Sequence, residues 1–171
     1  YNETDGRAID PTPVVGCVGL VEDVRTVPRG WRAGDVILLA GASPVSIAGS
    51  ELQARCGEIG GTPPELDLAA EAALVDFLRL AAPLCSLVHD VSLGGLAVAL
   101  ARAALWSGAG AEVELPDDHR AWFGEHGGQA VLACAPEVVE KLGGVPLRRL
   151  GVAGGDSLLG LPLETLREAY A

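Results

Sequence analysis

Short apolar runs separated by glycine, proline and polar residues dominate the chain. Strands are predicted where such runs lie between two breaks. The predicted strands are residues 14–21, 36–40, 85–89, 111–115, 129–135, 150–152 and 158–161. Helices are predicted where apolar positions recur every three or four residues after a capping residue or a proline. The predicted helices are a short one within residues 49–56, then residues 67–82, 94–106, 136–142 and 163–170.

The order of these elements predicts helices packed on a mixed sheet. Two strands precede the first long helix, which departs from the regular alternation of a doubly wound parallel sheet. We expect an α+β fold, a three-layer α/β domain with about five to seven strands. Residues 1–13 are polar and include Pro11 and Pro13, so they predict an extended lead-in that belongs to a preceding domain or cleft. Residues 14–171 are expected to form one domain.

Charge and hydropathy limit the function classes. The formal net charge of -11 disfavours a nucleic-acid surface, because such surfaces need Lys and Arg against phosphates; Arg148 and Arg149 form the best local basic patch. No apolar stretch approaches the roughly 18 residues that a membrane helix needs. The chain begins with neither a basic region nor an apolar signal core and contains no methionine, so we expect a piece of a longer polypeptide.

The cysteines lack the spacing of a metal site. No Cys-x-x-Cys pair or Cys/His cluster occurs, and most of these residues lie in apolar segments. We therefore expect buried, reduced thiols in a cytoplasmic protein. The four cysteines are Cys17, Cys56, Cys85 and Cys134.

One polar turn, His89-Asp90-Val91-Ser92-Leu93-Gly94-Gly95, lies between a predicted buried strand and a predicted helix. With Ser92 as N-cap, the turn would direct His89, Asp90 and free backbone N–H groups at one point, which suits phosphate or metal-bound phosphate. In the structural alternative, His89 bonds a backbone carbonyl, a polar side chain caps the helix, and the two glycines permit close packing. The turn matches neither the P-loop nor the dinucleotide-binding glycine pattern.

Three further segments are rich in polar atoms. Residues 2–5 combine amide, carboxylate and hydroxyl oxygens, which magnesium prefers, although a solvated terminus is the commoner explanation. Phe123-Gly124-Glu125 places a carboxylate ahead of a predicted strand, where it could contact a ligand or belong to an ordinary hairpin loop. Gly49-Ser50-Glu51 favours helix capping. No serine or cysteine has a convincing catalytic partner in the sequence, so a self-contained hydrolase is not expected.

Taken in order, these segments resemble phosphoribosylformylglycinamidine synthases. The resemblance rests on Tyr1-Asn2-Glu3-Thr4-Asp5-Gly6 with Pro11-Thr12-Pro13, on Gly49-Ser50-Glu51, on the turn from His89 to Gly95, and on Phe123-Gly124-Glu125. It covers nearly the whole chain and corresponds to the last domain of the small form of the PurL subunit. The turn alone is shared with the wider superfamily of aminoimidazole ribonucleotide synthetase (PurM), whereas the Asn-Glu-Thr and Pro-Thr-Pro segment is more specific to the synthase.

The resemblance implies an ATP-dependent carbon–nitrogen ligase of purine biosynthesis. In that family, formylglycinamide ribonucleotide and glutamine-derived ammonia give formylglycinamidine ribonucleotide, with ATP and Mg²⁺ bound by the full subunit. The implied partners are the remaining domains, a glutamine amidotransferase subunit and a small assembly subunit, with neither nucleic acid nor membrane. The chain is expected to be inactive alone, because the active-site cleft lies between domains.

The resemblance also implies which residues line the nucleotide and substrate cleft, with Asp90 the expected metal ligand. These cleft residues are Asn2, Glu3, Thr4, Gly49, Ser50, His89, Asp90, Ser92, Gly94, Gly95, Gly124 and Glu125. Leu93 and His126-Gly127-Gly128 depart from the more polar residues usual in the family. Two alternatives stay open: another enzyme of the superfamily, such as aminoimidazole ribonucleotide synthetase, and a structural domain that docks subunits. The turn could also face a structural rather than a catalytic nucleotide site.

Overall fold

A seven-stranded sheet with helices on both faces forms the centre of the structure. A computed structural model describes residues 3–9, 13–42, 44, 46–58 and 60–170. The strands are β1 (Glu3–Thr4), β2 (Arg7–Ala8), β3 (Val36–Gly41), β4 (Leu87–Asp90), β5 (Ala111–Val113), β6 (Gln129–Cys134), β7 (Leu147–Ala153), β8 (Ser157–Leu158) and β9 (Leu161–Pro162). The α-helices are α1 (Glu51–Cys56), α2 (Leu68–Ala81), α3 (Gly95–Ser107), α4 (His119–Phe123) and α5 (Leu163–Tyr170). Turns of 3-10 helix cover Val24–Thr26, Ala82–Leu84 and Pro136–Lys141.

The sheet is mixed and mostly antiparallel, in the order β4-β6-β3-β7-β5-β8-β9. Among the described strands, only β5 and β8 pair in parallel. The chain runs from β4 through α3 to β5, yet β6, β3 and β7 lie between those two strands. The prediction of an α+β fold with five to seven strands is confirmed.

The strand β3 is buried on both faces, as its continuous apolar run predicts. Ile37 and Leu39 pack with α3 and α5 on one face, whereas Leu38 and Ala40 pack with α2 on the other. The α3 residues in the first of these clusters are Leu96, Ala99, Leu100, Ala103 and Ala104. The small residues of α3 let the helix approach the sheet closely, so the β4–α3 turn is held by a well-packed core.

The helix α2 confirms the helix predicted for residues 67–82. Asp67 is its N-cap, and the Asp67 carboxylate accepts hydrogen bonds from the backbone N–H groups of Ala69 and Ala70, both at 3.0 Å. The predicted apolar face is partly wrong, because Leu68 and Val75 are exposed. The residues of α2 that pack against the sheet are Leu74, Phe77, Leu78 and Ala81.

The strand predicted for residues 14–21 does not form. Val14, Val18 and Leu20 are 96%, 101% and 100% exposed, so their apolar pattern has no partner in the described part of the chain. A strand needs a neighbour to satisfy its backbone groups and to cover its apolar face. The apolar pattern indicates a preference for strand, but the described residues provide no neighbouring strand with which this segment pairs.

Other element boundaries differ in smaller ways. The strand predicted for residues 111–115 ends at Val113, and two paired two-residue strands, β8 and β9, replace the one predicted for residues 158–161. The helix α4 was not predicted, because five residues are too few to show a helical period. The closing helix α5 is confirmed with both predicted ends. None of the described helices is long and apolar enough to cross a membrane.

The cysteines fall into two environments. Cys17 and Cys56 are exposed, which makes the prediction of burial wrong for both, whereas Cys85 is half-buried and Cys134 is buried. The pKa of the Cys85 thiol is raised to about 12, mainly because burial removes it from water. The same desolvation raises the pKa of the Cys134 thiol. We therefore expect the thiols of Cys85 and Cys134 to react slowly at neutral pH.

Native-state alkylation is expected to separate these two classes. At pH 8 iodoacetamide should modify Cys17 and Cys56 within minutes, whereas Cys85 and Cys134 should react only after unfolding, because the thiolate is the nucleophile. A pKa of about 12 leaves about one Cys85 thiol in ten thousand ionised at that pH. Peptide mass spectrometry measures the four rates. Equal rates for Cys85 and Cys56 in the folded chain would contradict the burial described here.

Candidate functional site

The residue His89 lies under the turn between β4 and α3, not in an open cleft. The alternation of β4 places Leu87 and His89 on the buried face, and His89 is only 6% exposed. Its ring stacks on Trp106 of α3, with 4.9 Å between the ring centroids and 23° between the planes. The histidine therefore joins strand and helix at the base of the turn.

The hydrogen bonding of His89 assigns its tautomer. Its Nδ1 lies 2.6 Å from the backbone oxygen of Asp90, and since a carbonyl oxygen only accepts, Nδ1 donates. In the neutral ring Nε2 is then an acceptor, and it is buried with no partner among the described residues. Leaving such a group unpaired costs about 1–3 kcal/mol. The part of the structural alternative in which His89 bonds a backbone carbonyl is confirmed.

The side chain of Asp90, the next residue of β4 after His89, faces solvent and is 74% exposed. Its Oδ1 lies 3.3 Å from Nδ1 of His89. Ser92 is also exposed. At the rim of the turn, Asp90 and Ser92 are thus the two polar side chains available to a ligand.

The N-terminus of α3 differs from the prediction. Its N-cap is Gly94, at φ 83°, and no side chain caps it. Ser92 contributes its carbonyl oxygen instead, which accepts from the backbone N–H of Gly95 at 2.8 Å. The prediction of Ser92 as a side-chain cap is therefore wrong, because two successive glycines with positive φ turn the chain before the helix begins.

The carboxylate of Glu125 links the predicted segments. Its Oε1 accepts from the backbone N–H of Gly94 at 2.9 Å and from the N–H of Glu51 at 2.8 Å. One oxygen thus binds beside the starts of both α3 and α1, where the helix dipoles favour a negative charge. The sequence predicted backbone N–H groups free to bind phosphate. Those of Gly94 and Gly95 already donate, to the Glu125 carboxylate and to the backbone oxygen of Ser92.

Glycines allow these segments to approach one another. A Cβ on Gly95 would lie 2.7 Å from both the Cα of Phe123 and the backbone oxygen of Trp122. A Cβ on Gly124 would lie 2.5 Å from the backbone oxygen of Ser46. The β4–α3 turn, the loop before α1 and the Phe-Gly-Glu loop therefore form one contiguous surface, which we call the Glu125 junction.

The segment Gly49-Ser50-Glu51 starts α1. Ser50 is buried and is the N-cap, accepting from the N–H of Gln53 at 3.4 Å. Gly49 precedes it at φ 73°. The capping interpretation is confirmed, and the same segment also contributes the Glu51 N–H to the Glu125 junction.

The N-terminal candidates lie outside this junction. Glu3 and Thr4 form the exposed strand β1, which pairs with β2 in a separate two-stranded sheet. Neither residue takes part in the hydrogen bonds of the junction described above. Asn2 is outside the described residues.

The described residues contain no group of three or more His, Cys, Asp or Glu side chains that could hold a metal ion. Asp90 is thus a single exposed carboxylate. Magnesium is commonly bound by one or two carboxylates together with waters and substrate phosphates, so Asp90 fits a shared site better than a site built by this chain alone.

Two contributors to this region were missed in the sequence. Trp106 stacks on His89. His89 precedes α3 in the sequence and Trp106 lies near the far end of that helix, so no local pattern indicates their contact. The helix α4 supplies the backbone against which Gly95 packs. Its start was detectable in principle, because Asp118 is a good N-cap residue and its carboxylate accepts from the N–H of Arg120.

Comparisons with known proteins agree with this fold. A family model described as AIR synthase related protein, C-terminal domain, matches residues 32–150. The phosphoribosylformylglycinamidine synthase subunit PurL of Methylocella silvestris is 44% identical over 173 residues, covering 92% of this chain and 23% of that protein. The subunit PurL of Nocardioides sp. is 42% identical over 185 residues, covering 99% of this chain and 25% of that protein. The chain thus spans about a quarter of the length of these relatives.

Solved structures of T. maritima PurL share the fold. The structure complexed with FGAR aligns with a TM-score of 0.66 at 14% identity, covering 84% of this chain and 30% of that chain. The structure complexed with ATP aligns with a TM-score of 0.61 at 15% identity, covering 82% and 27%. At these identities the likeness concerns the fold alone. With a family model that matches more than half of its residues, the chain belongs to the family of AIR synthase related proteins, as a C-terminal domain of that family.

Proposed function

We propose that this chain is the last domain of a phosphoribosylformylglycinamidine synthase subunit PurL. The reaction of the full subunit would be the ATP-dependent conversion of formylglycinamide ribonucleotide and ammonia into formylglycinamidine ribonucleotide. The similarity to PurL subunits over most of the chain supports this assignment. The chain would be inactive alone, because it spans only about a quarter of such a subunit.

One observation carries the proposal for the site: Glu125 holds three separate segments in one surface through its bonds to Gly94 and Glu51. This surface presents the exposed side chains of Asp90 and Ser92. We propose that it is one wall of a ligand cleft whose other wall belongs to the remaining domains of the same subunit. Within it, Glu125, Gly94 and Gly95 would position the turn, and Asp90 and Ser92 would contact ligand.

The proposed cofactors are ATP and Mg²⁺, bound by the full subunit. T. maritima PurL has been solved with ATP, which supports nucleotide binding in the family. Asp90 is the residue of this chain that would hold the metal, as one exposed carboxylate among ligands from elsewhere. Magnesium would neutralise phosphate charge. His89 would orient Asp90, since its Nδ1 contacts both the backbone and the side-chain oxygens of that residue.

The partners and location extend the same proposal. A structure described as PurLQS from T. maritima supports an assembly with further subunits, and we propose a glutamine amidotransferase and a small assembly subunit as these partners. The relatives reported above are PurL subunits, so an aminoimidazole ribonucleotide synthetase is not favoured. We place the chain in the cytoplasm, with residues 1–13 as a lead-in to the domain formed by residues 14–171.

Replacing Asp90 with asparagine in the full-length subunit tests this assignment. Because the Asp90 side chain is 74% exposed, the substitution should leave the unfolding midpoint unchanged. We expect turnover or nucleotide retention to fall at least about tenfold, since the charge available to metal or phosphate is lost. The measurements are steady-state kinetics with ammonia and the nucleotide content of the purified protein.

A matched control is Asp76→Asn, which removes an exposed carboxylate from α2. The control should retain normal turnover and nucleotide content. A loss of nucleotide without a loss of turnover would indicate a structural nucleotide site at this wall. Normal values of both quantities in Asp90→Asn would exclude a ligand role for the turn.

A further inference from the structure

A separate cavity of about 240 Å³ lies between the sheet and α4. Strands β3, β6 and β7 contribute to its lining, as do α4 and the loop that follows it. The polar side chains that line it are Arg120, His126, Gln129 and Arg148. Asp90, Ser92 and Glu125 do not line this cavity, whereas Gly124 of the Glu125 junction does, so the cavity adjoins the surface assigned above without including its proposed ligand-contacting side chains.

The strand register explains how the cavity acquires its side chains. Leu39 of β3 pairs with Val131 on one side and with Arg148 on the other, so these three residues share one face of the sheet. Gln129 precedes Val131 by two positions and shares that face as well. Arg149 pairs with Leu38 and belongs to the opposite face. The sheet therefore directs Arg148, and not its neighbour, toward the cavity.

The charge of the cavity contrasts with that of the chain. The whole sequence has 23 acidic and 12 basic residues, yet no acidic side chain lines the cavity among the described residues. Arg148 forms no ion pair in the described part of the chain. Arg120 is paired with Asp118 through Nε at 3.0 Å and Nη2 at 2.9 Å, which orients the guanidinium and leaves Nη1 outside that pair.

A histidine completes one wall. Nε2 of His126 lies 2.5 Å from the backbone oxygen of Ser46, and since a carbonyl oxygen only accepts, Nε2 carries the proton. This bond fixes the ring where the loop meets the cavity and leaves Nδ1 outside it. The cavity thus combines two guanidinium groups, one amide and one oriented imidazole.

We propose that this cavity binds the phosphate group of a phosphate monoester. Arginine side chains match phosphate oxygens with forked, charge-assisted hydrogen bonds, and an amide can add a further donor. Pockets for drug-sized ligands hold about 300–1,000 Å³, so a cavity of about 240 Å³ suits a phosphate with a few attached atoms. The proposal does not depend on the ligase assignment, because it concerns binding by this chain alone.

Calorimetric titration of the 171-residue chain with inorganic phosphate, ribose 5-phosphate and AMP tests the proposal. We expect at least one of these phosphates to bind more tightly than acetate at equal ionic strength. Arg148→Gln should weaken that binding about tenfold or more, because one charge-assisted contact is lost. Binding of ribose 5-phosphate but not AMP would identify a sugar phosphate as the source. Tighter binding of AMP would identify a nucleotide.

The neighbouring residue supplies the control. Arg149→Gln removes the same charge from the opposite sheet face and should leave the affinity unchanged, and Arg120→Gln should lower it as Arg148→Gln does. Thermal unfolding of each variant verifies that it is folded. Equal losses in the Arg148 and Arg149 variants, or no phosphate binding stronger than that of acetate, would overturn the proposal and leave the ligase assignment untouched.

Discussion

Substituting Gly95 with alanine is expected to lower the free energy of unfolding by about 3 kcal/mol. Gly95 has φ 68°, a left-handed conformation that disfavours a side chain. Its new Cβ would also lie 2.7 Å from the Cα of Phe123 and from the backbone oxygen of Trp122. These neighbours are backbone atoms, so they cannot move aside by a rotamer change. Urea unfolding followed by circular dichroism measures the loss.

Gly108 offers a matched control for that substitution. It lies at the other end of α3 with φ 65°, and a Cβ there would meet nothing within 4 Å. Gly108→Ala should therefore show only the conformational cost, about 1 kcal/mol. The difference between the two variants isolates the close approach of Gly95 to α4. Equal losses would mean that this contact contributes nothing to stability.

Truncating Glu125 to alanine is expected to destabilise the chain by about 2–3 kcal/mol. One carboxylate oxygen accepts from the N–H groups of both Gly94 and Glu51, and the substitution leaves both donors without this partner. Because Glu125 is half-buried, solvent replaces part of what is lost, which keeps the effect below that of two fully buried bonds. The free energy of unfolding in urea is again the measurement.

Two further variants identify the cause. Glu125→Gln keeps an oxygen acceptor and loses the negative charge near the two helix starts, so it should cost about half as much. Glu58→Ala removes an exposed carboxylate that lies beyond α1 and should change stability by less than about 0.5 kcal/mol. A Glu125→Ala variant as stable as Glu58→Ala would show that the junction does not hold the three segments together.

Elements whose information is local were predictable from the sequence. The apolar run of β3, the Asp67 cap of α2 and the pattern of α5 each contain their own start, period or end. The failed strand at residues 14–21 shows the limit of that reasoning. The glycine-interrupted apolar run at these positions favours a strand, yet a strand also needs a neighbouring surface, and the described residues provide none for it.

Three of the candidate segments, which the structure brings together at Glu125, were recognisable in the sequence, but their geometry was not. Glu125 and the turn from His89 to Gly95 were both expected in one cleft. The contact between Glu125 and Gly94, however, joins residues 31 positions apart, and no local pattern reports it. For this reason the sequence favoured Ser92 as a cap for α3 and left backbone N–H groups free for phosphate. The folded chain supplies its own carboxylate to one of them instead.

The cavity beside α4 was even less predictable from the sequence. Arg120 and Arg148 are far apart in sequence, and Arg148 reaches the cavity only because of its pairing with Leu39. We interpreted Arg148 and Arg149 in the sequence as one basic patch, whereas their side chains lie on opposite faces of the sheet. Such a division between neighbours depends on register, which is set by tertiary packing.

We propose that the turn at Asp90 forms one wall of a ligand cleft completed by other domains. A structure of the full-length subunit with a non-hydrolysable ATP analogue, magnesium and formylglycinamide ribonucleotide tests it most directly. We expect Asp90 to contact a bound ligand or its metal, with Glu125 still bonded to Gly94 and Glu51. A turn that faces bulk solvent, with both ligands bound elsewhere, would contradict it.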